Sequence, residues 1–416
     1  MIKICIKATI LSFFSTLGTS GQTVNVGDLA VMSNTKFSTV SDFVNKKSGN
    51  FSNDGSFLVY SNFLNDGLVT YSNSSNGKTL FIGSKKQLID GQSLTHFQDV
   101  LFDNLSESSP FDLNNIIVIG NSVEFKRGIV NAKGLDSAII FDQQATHSGA
   151  GDLSFVDGKT EKKGTSVFEF PVGDKNFYRP LYTGSGSDAN TVLTTQYFFE
   201  SADSLYPFTN KDDSILAIND AEYWKVTQDK GTGKTILSLT LDKDTTPASF
   251  LEKSDQKELA ILRWDSTLLK WINEKGTVEE DSLQGGNYSK LITASVAGYG
   301  IFTTGFVKKA PSIIDEDLII YNALSPNGDG INDSFHIKGI NKYPDNNVQI
   351  YNRWGVKVFE ADKYNENDIM FRGYSDGHDT FKRSQGLPAG TYFYILKYSK
   401  GTAVVEKSGY LYISSK

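Results

Sequence analysis

From about Val24 to Ala150, short apolar stretches alternate with Asn, Asp, Ser and Gly. Ser56-Phe57-Leu58-Val59-Tyr60, Thr79 to Gly83, Val100-Leu101-Phe102 and Ile116 to Ile119 are each short and β-prone. Phe51-Ser52-Asn53-Asp54-Gly55 returns twelve residues later as Phe63-Leu64-Asn65-Asp66-Gly67, and Phe43-Val44-Asn45 is a partial earlier copy. Asn-Asp-Gly fits a turn with positive φ better than a strand interior. Two architectures follow from this pattern: a parallel β-solenoid that stacks Asn and Phe from rung to rung, or a string of ordinary hairpins.

The repeat stops after about Gly151. Strands are expected at Ser166 to Phe170, Thr191 to Phe199, Glu222 to Val226, Thr235 to Leu241, Leu259 to Trp264, Trp271-Ile272 and Leu291 to Phe302. Turn signals at this spacing predict an antiparallel β-sandwich over 151–306. Trp264 and Trp271 read as core or sheet-face aromatics, with carbohydrate stacking as the other use of such rings. A short basic link, Val307-Lys308-Lys309-Ala310-Pro311, precedes Asp315-Glu316-Asp317, so charge reverses across 307–318. A hundred-residue segment, 319–416, follows.

The chain has 416 residues, enough for two to three domains at roughly 150 each. Aromatic residues at 12% can bury a core and exclude a wholly disordered chain, while 37 Gly without a triplet period exclude collagen. A net charge of −7 argues against nucleic acid or an anionic membrane as partner. The first residues change the picture of cysteine. Lys3 and Lys7 form a short positive segment ahead of an apolar run, Ala8 to Leu17, and small residues follow up to Gly21. This is the pattern of a signal peptide over 1–21, with cleavage expected between Gly21 and Gln22. Cleavage removes Cys5, the lone cysteine, so no disulfide or thiol chemistry is expected of the mature chain.

Candidate chemistry is sparse. Gly231-Thr232-Gly233-Lys234-Thr235 resembles a phosphate loop, but Gln228 stands where the first glycine belongs, and strand-like residues follow. It reads as a hairpin turn. His96, His147, His336 and His378 lie far apart without metal-ligand spacing. No Gly-x-Ser-x-Gly elbow is present, so the sequence offers no catalytic constellation.

Motifs crowd the last hundred residues. Ser325-Pro326-Asn327-Gly328-Asp329-Gly330-Ile331-Asn332-Asp333 is a glycine-rich loop of oxygen-bearing side chains. Tyr343-Pro344, then Tyr351-Asn352-Arg353-Trp354-Gly355 with Val358-Phe359, then Leu387-Pro388-Ala389-Gly390-Thr391-Tyr392-Phe393-Tyr394, and finally Gly409-Tyr410 follow in order. The strands between predict a small antiparallel, Ig-like sandwich, which makes the whole chain all-β. This set resembles the gliding motility-associated C-terminal domain, the type B sorting domain of the type IX secretion system of Bacteroidetes. One departure is Phe371-Arg372-Gly373, where that family usually has Trp-Asp-Gly.

The resemblance implies Sec export, recognition of the folded domain by the type IX machinery and delivery to the surface or the medium. An outer-membrane partner that retains the sorting domain is a further implied contact. Asn327, Asp329 and Asp333 are spaced like ligands of a calcium loop, although Ser325 and His336 stand where the outer carboxylates would be. An Asx-rich turn satisfied by its own backbone is the other reading. For the cargo, the expectation is a non-enzymatic structural or adhesive ectodomain that meets extracellular polysaccharide or a cell-surface ligand. The alternative is a glycan-binding or glycan-acting protein that stacks sugars on Trp264, Trp271 or Tyr223-Trp224.

Overall fold

The computed structural model describes residues 21–72, 76–184, 188–232, 236–254, 256–279, 288–309, 318–352, 355–375, 386–401 and 403–414. The signal-peptide expectation therefore lies outside the described residues, apart from Gly21 and Gln22 on either side of the expected cleavage. Most of the link also lies outside.

The N-terminal part is a parallel β-solenoid of about six turns. One face stacks Thr23–Asn25, Phe43–Asn45, Phe63–Asn65, Gln87–Asp90, Phe111–Leu113, Val130–Ala132, Val156–Gly158 and Val172–Asp174. A second stacks Asp28–Val31, Asn50–Asn53 and Leu68–Thr70. A third stacks Lys36–Thr39, Ser56–Val59 and Lys78–Phe81. The second and third faces merge in two long bent strands, Thr95–Asp103 and Ile116–Arg127, whose register shifts mark the corner.

The rung differs from the repeat visible in the sequence. Phe63 pairs with Phe43 and Ile89 on the first face, whereas Phe51 pairs with Leu29 and Val69 on the second. The two Asn-Asp-Gly copies thus occupy different corners of one coil, and the true rung is the 20-residue step from Asn25 to Asn45 to Asn65. Both corners need the same turn chemistry. Asn53 Oδ1 accepts Gly55 N–H at 3.2 Å, and Asn65 Oδ1 accepts Gly67 N–H at 3.1 Å. At Gly67 a Cβ would lie 2.3 Å from the Gly49 carbonyl of the neighbouring turn, so only glycine lets the corners stack.

Inside, the Asn25 amide donates to Asn45 Oδ1 at 2.8 Å, and the Asn45 amide donates to Asn65 Oδ1 at 2.9 Å. The Asn65 amide then donates to Thr95 Oγ1 at 2.9 Å. Phenylalanines stack beside them: Phe43 on Phe63 at 5.6 Å, Phe81 on Phe102 at 5.5 Å, Phe102 on Phe125 at 5.9 Å. Such ring pairs contribute about 0.5–1.5 kcal/mol each beyond their buried area.

Thr160–Lys163 joins solenoid to sandwich. It lies parallel to Ala138–Phe141 on one side and antiparallel to Val192–Phe198 on the other. From there one sheet continues through Tyr223–Lys230, Gly300–Lys308, Lys257–Asp265 and Lys270–Asn273. The facing sheet comprises Phe168–Phe170, Leu181–Thr183, Ile236–Leu241, Lys290–Ser295 and Thr277–Glu279. Solenoid and sandwich share one hydrophobic core that runs from Val31 to Phe302.

Two expectations are corrected here. The turn after Lys230 is no hairpin, because Tyr223–Lys230 and Ile236–Leu241 lie in opposite sheets; Gly233, Lys234 and Thr235 themselves lie outside the described residues. Leu291 to Phe302 is two strands rather than one, divided near Gly298, whose neighbour across the gap is the Arg263 guanidinium.

The C-terminal part has a five-stranded sheet in the order Ala323–Leu324, Ala403–Ile413, Gly390–Lys400, Asn346–Tyr351, Lys357–Asp362. Only the first of these pairings is parallel. A two-stranded ribbon, Ile319–Ile320 with Ile337–Lys338, and the residues on either side of it contribute Phe335, Ile337 and Ile340 to the core on the inner face.

Candidate functional site

The motif residues of the C-terminal part are arranged around this sheet. Leu411 and Ile413 are fully buried on its inner face beside Tyr392, Tyr394 and Leu396, while Tyr410 and Tyr412 are 47% and 48% exposed on the outer one. Strand alternation alone sets this division. Tyr394 lies opposite Gly409, and a Cβ on Gly409 would meet the Tyr394 hydroxyl at 2.6 Å. The glycine of the Gly409-Tyr410 pair thus makes room for a cross-strand ring.

The Ser325–Asp333 loop folds on its own carboxylates. Gly328, Gly330 and Asn332 have φ of 80°, 82° and 53°, so left-handed residues alternate along it. Such a backbone turns successive N–H groups inward as an anion-binding concavity. Here the anion is internal: Gly328 and Gly330 N–H donate to the two oxygens of Asp333, each at 2.7 Å. Ile331 N–H donates to Asp329 Oδ1 at 2.7 Å, and the Asn327 amide donates to Asp329 Oδ2 at 2.8 Å. These bonds, the Ile331 N–H first, hold the Asp329 carboxyl below its ordinary range. The three residues expected to bind calcium are therefore together, with their oxygens turned to donors of the same loop. Among the described residues no group of three or more His, Cys, Asp or Glu is placed to hold a metal ion.

Pro326 anchors this loop against Gly373, where a Cβ would lie 2.9 Å from the proline ring. In the departing segment Phe371-Arg372-Gly373, Phe371 is fully buried and meets Phe359 at 5.1 Å. Motif reading missed Tyr364. Its buried hydroxyl accepts Phe371 N–H at 2.9 Å and donates to the Phe335 carbonyl, so it ties the loop's exit to that segment. The only sequence signal was an aromatic ring among Lys363, Asn365 and Glu366. Pro388 and Thr391 flank Gly390 at the start of the long strand, where Pro388 O accepts the Tyr392 hydroxyl at 3.0 Å. Gly355, at φ 75°, closes the turn after Tyr351 with its N–H on the Asn352 carbonyl; Arg353 and Trp354 lie outside the described residues.

Residues 318–413 match the family model of the CHU_C type IX secretion signal domain. This signal implies export to the medium or the cell surface and contact with the type IX machinery. No curated protein and no solved structure matches the chain.

The cargo's candidate residues are dispersed. Trp264, Trp271, Trp224 and Tyr223 are all buried, with Trp264 and Trp271 paired across adjacent strands at 5.8 Å. Trp264 and Trp271 are core, the first of the two readings made of them, and the alternative use of these rings and of Tyr223-Trp224 as an exposed sugar platform is corrected. His147 is enclosed by Phe125, Phe141 and Phe168, and burial lowers its pKa, whereas His336 is half-exposed near Glu366. His378 lies outside the described residues.

The sandwich also hides a polar cluster that sequence reading did not find. Glu222 accepts Tyr197 Oη at 2.8 Å, Thr246 Oγ1 at 2.5 Å and the Asn219 amide at 3.2 Å. Burial still raises its carboxyl pKa against these bonds. Nearby, fully buried Arg179 donates to Thr245 Oγ1 and Asp242 Oδ1.

Proposed function

We propose that this is an exported, non-enzymatic surface protein whose β-rich cargo is structural or adhesive. It passes by a Sec signal into the periplasm and leaves through the type IX machinery, with an outer-membrane protein retaining the sorting domain. The observation that supports the cargo reading is the single core shared by solenoid and sandwich. With Asn and Phe stacked from turn to turn, that core holds solenoid and sandwich together, so their outer faces can serve as one contact surface. Polar pairs cross between turns on its outside, among them Asp28 with Asn50 at 3.2 Å and Asp99 with Asn121 at 2.7 Å.

Cells of a type IX-competent host that display the chain should adhere to one another or to a polysaccharide-coated surface. Purified full-length chain should block that adhesion. Equal adhesion with and without the displayed chain would overturn the adhesive reading.

A second reading retains a glycan ligand without the aromatic platform. A groove where solenoid meets sandwich is lined by Asp142, Gln143, Lys163, Asn190, Thr191 and Lys230, side chains that can bond sugar hydroxyls. Asp142 and Lys163 pair across it at 2.8 Å. Binding of the full chain on a glycan array, lost in an Asp142→Ala/Asn190→Ala variant, is the outcome this reading requires.

A further inference from the structure

The outer face of the secretion-signal sheet has an apolar centre that the domain's own core does not use. Tyr351, Phe393 and Ile395 are 8%, 5% and 4% exposed, yet they form a cluster separate from the inner core. The residue that completes this cluster is Ile236, which belongs to the cargo. Ile236 opens the strand whose next residues, Leu237, Leu239 and Leu241, fill the sandwich core, while its own side chain points to the other cluster. Beside it two glycines bring the backbones together. A Cβ on Gly355 would lie 2.5 Å from Gly184 Cα, and one on Gly184 would lie 2.9 Å from the Gly355 carbonyl. A cleft flanks this contact, with Asn273, Gly276 and Ser295 on the cargo side and Glu406 and Ser408 on the signal side.

We propose that the outer face of the secretion-signal sheet is a docking surface whose occupant is the chain's own sandwich, so that the signal domain is seated only on folded cargo. Undocked, two aromatic rings and an isoleucine would face water next to the exposed Tyr410 and Tyr412 of the adjacent strand, a contiguous apolar surface of the kind that soluble proteins cover. The cargo supplies the cover only when it is folded, because Gly184 and Ile236 lie on strands or turns of one sandwich sheet and reach Gly355 and Phe393 together. The proposal is independent of the adhesive reading.

The test uses the full chain with Cys5→Ser and the pair Ser295→Cys/Ser408→Cys, which face each other across the cleft. A short bis-maleimide should link the two cysteines efficiently. Adding Ile236→Asp, or separately Phe393→Asp, should lower the linking rate about tenfold, the factor that accompanies loss of one buried apolar side chain from a contact. Circular dichroism should keep its β-signal in each variant. If Ile236→Asp loses that signal, Ile236→Ser is read in its place. Failure of the parent pair to link, or equal linking rates in parent and variants, would overturn the docking.

Discussion

Asn45 shows how much depends on single buried side chains in the solenoid. Its amide donates to Asn65 Oδ1 and to the Leu68 carbonyl, and its oxygen accepts from Asn25. Asn45→Leu keeps the branching of the side chain but strands those partners. It should destabilise the chain by about 2–4 kcal/mol in urea unfolding, since each buried orphan costs about 1–3 kcal/mol. A change under about 0.5 kcal/mol would mean the side-chain bonds are incidental.

Glu222 should act in the opposite direction. Its pKa is raised by burial, so the folded state holds the proton more tightly than the unfolded one. Stability from this group is present below the unfolded carboxyl pKa and is lost as pH rises through the folded one. Glu222→Gln should therefore melt higher than the parent at neutral pH, with the difference closing in acid. A variant that melts lower at pH 7 would show that the ionised form is the one the cluster holds. The Asn45 stack was legible in the repeat as one of two architectures, whereas the role of Glu222 was not, because its burial depends on contacts made far along the chain. The Ser325–Asp333 loop was legible as a turn, and its bonds to Asp329 and Asp333 bear on the cation. Because Asp333 accepts two backbone N–H groups and Asp329 accepts one backbone N–H and the Asn327 amide, the full chain should melt at the same temperature in calcium and in chelator. A rise with calcium would show that the ion binds the folded state.

Among the elements, the terminal strand Ala403–Ile413 separates fold from recognition. Leu411 is buried and Tyr412 is half-exposed one residue later. Leu411→Lys should destabilise the domain by about 3–5 kcal/mol, the cost of an unpaired buried charge. Tyr412→Lys should change stability by less than about 0.5 kcal/mol, as exposed substitutions do. Thermal melts of the two variants check the pair, and equal losses would contradict the alternation. That alternation was readable because each side chain's face follows from counting by two. The solenoid's rung was not, because two corners use one Asn-Asp-Gly device and the spacing between corners is shorter than a turn. The sandwich strands were found by composition, but which sheet each joins depends on long-range pairing. Ile236–Leu241 therefore left the hairpin expected for it.

The molecule as a whole is a cargo and an address, with the address seated on the cargo through Ile236, Phe393 and the Gly184–Gly355 contact. The address was legible because its motifs lie in contiguous sequence: loop, turn and terminal glycine each serve local backbone geometry. The seat was not, because it joins the motif residues Gly355 and Phe393 to Gly184 and Ile236, which lie more than a hundred positions earlier in the cargo and belong to no motif. The central claim is that residues 318–413 send the rest of the chain across the outer membrane. Its most direct test is the full chain, with and without residues 409–416, expressed in a type IX-competent host and quantified outside the cell and in the periplasm. The account predicts the intact chain outside and the shortened chain held in the periplasm. Equal amounts of both outside the cell would contradict it.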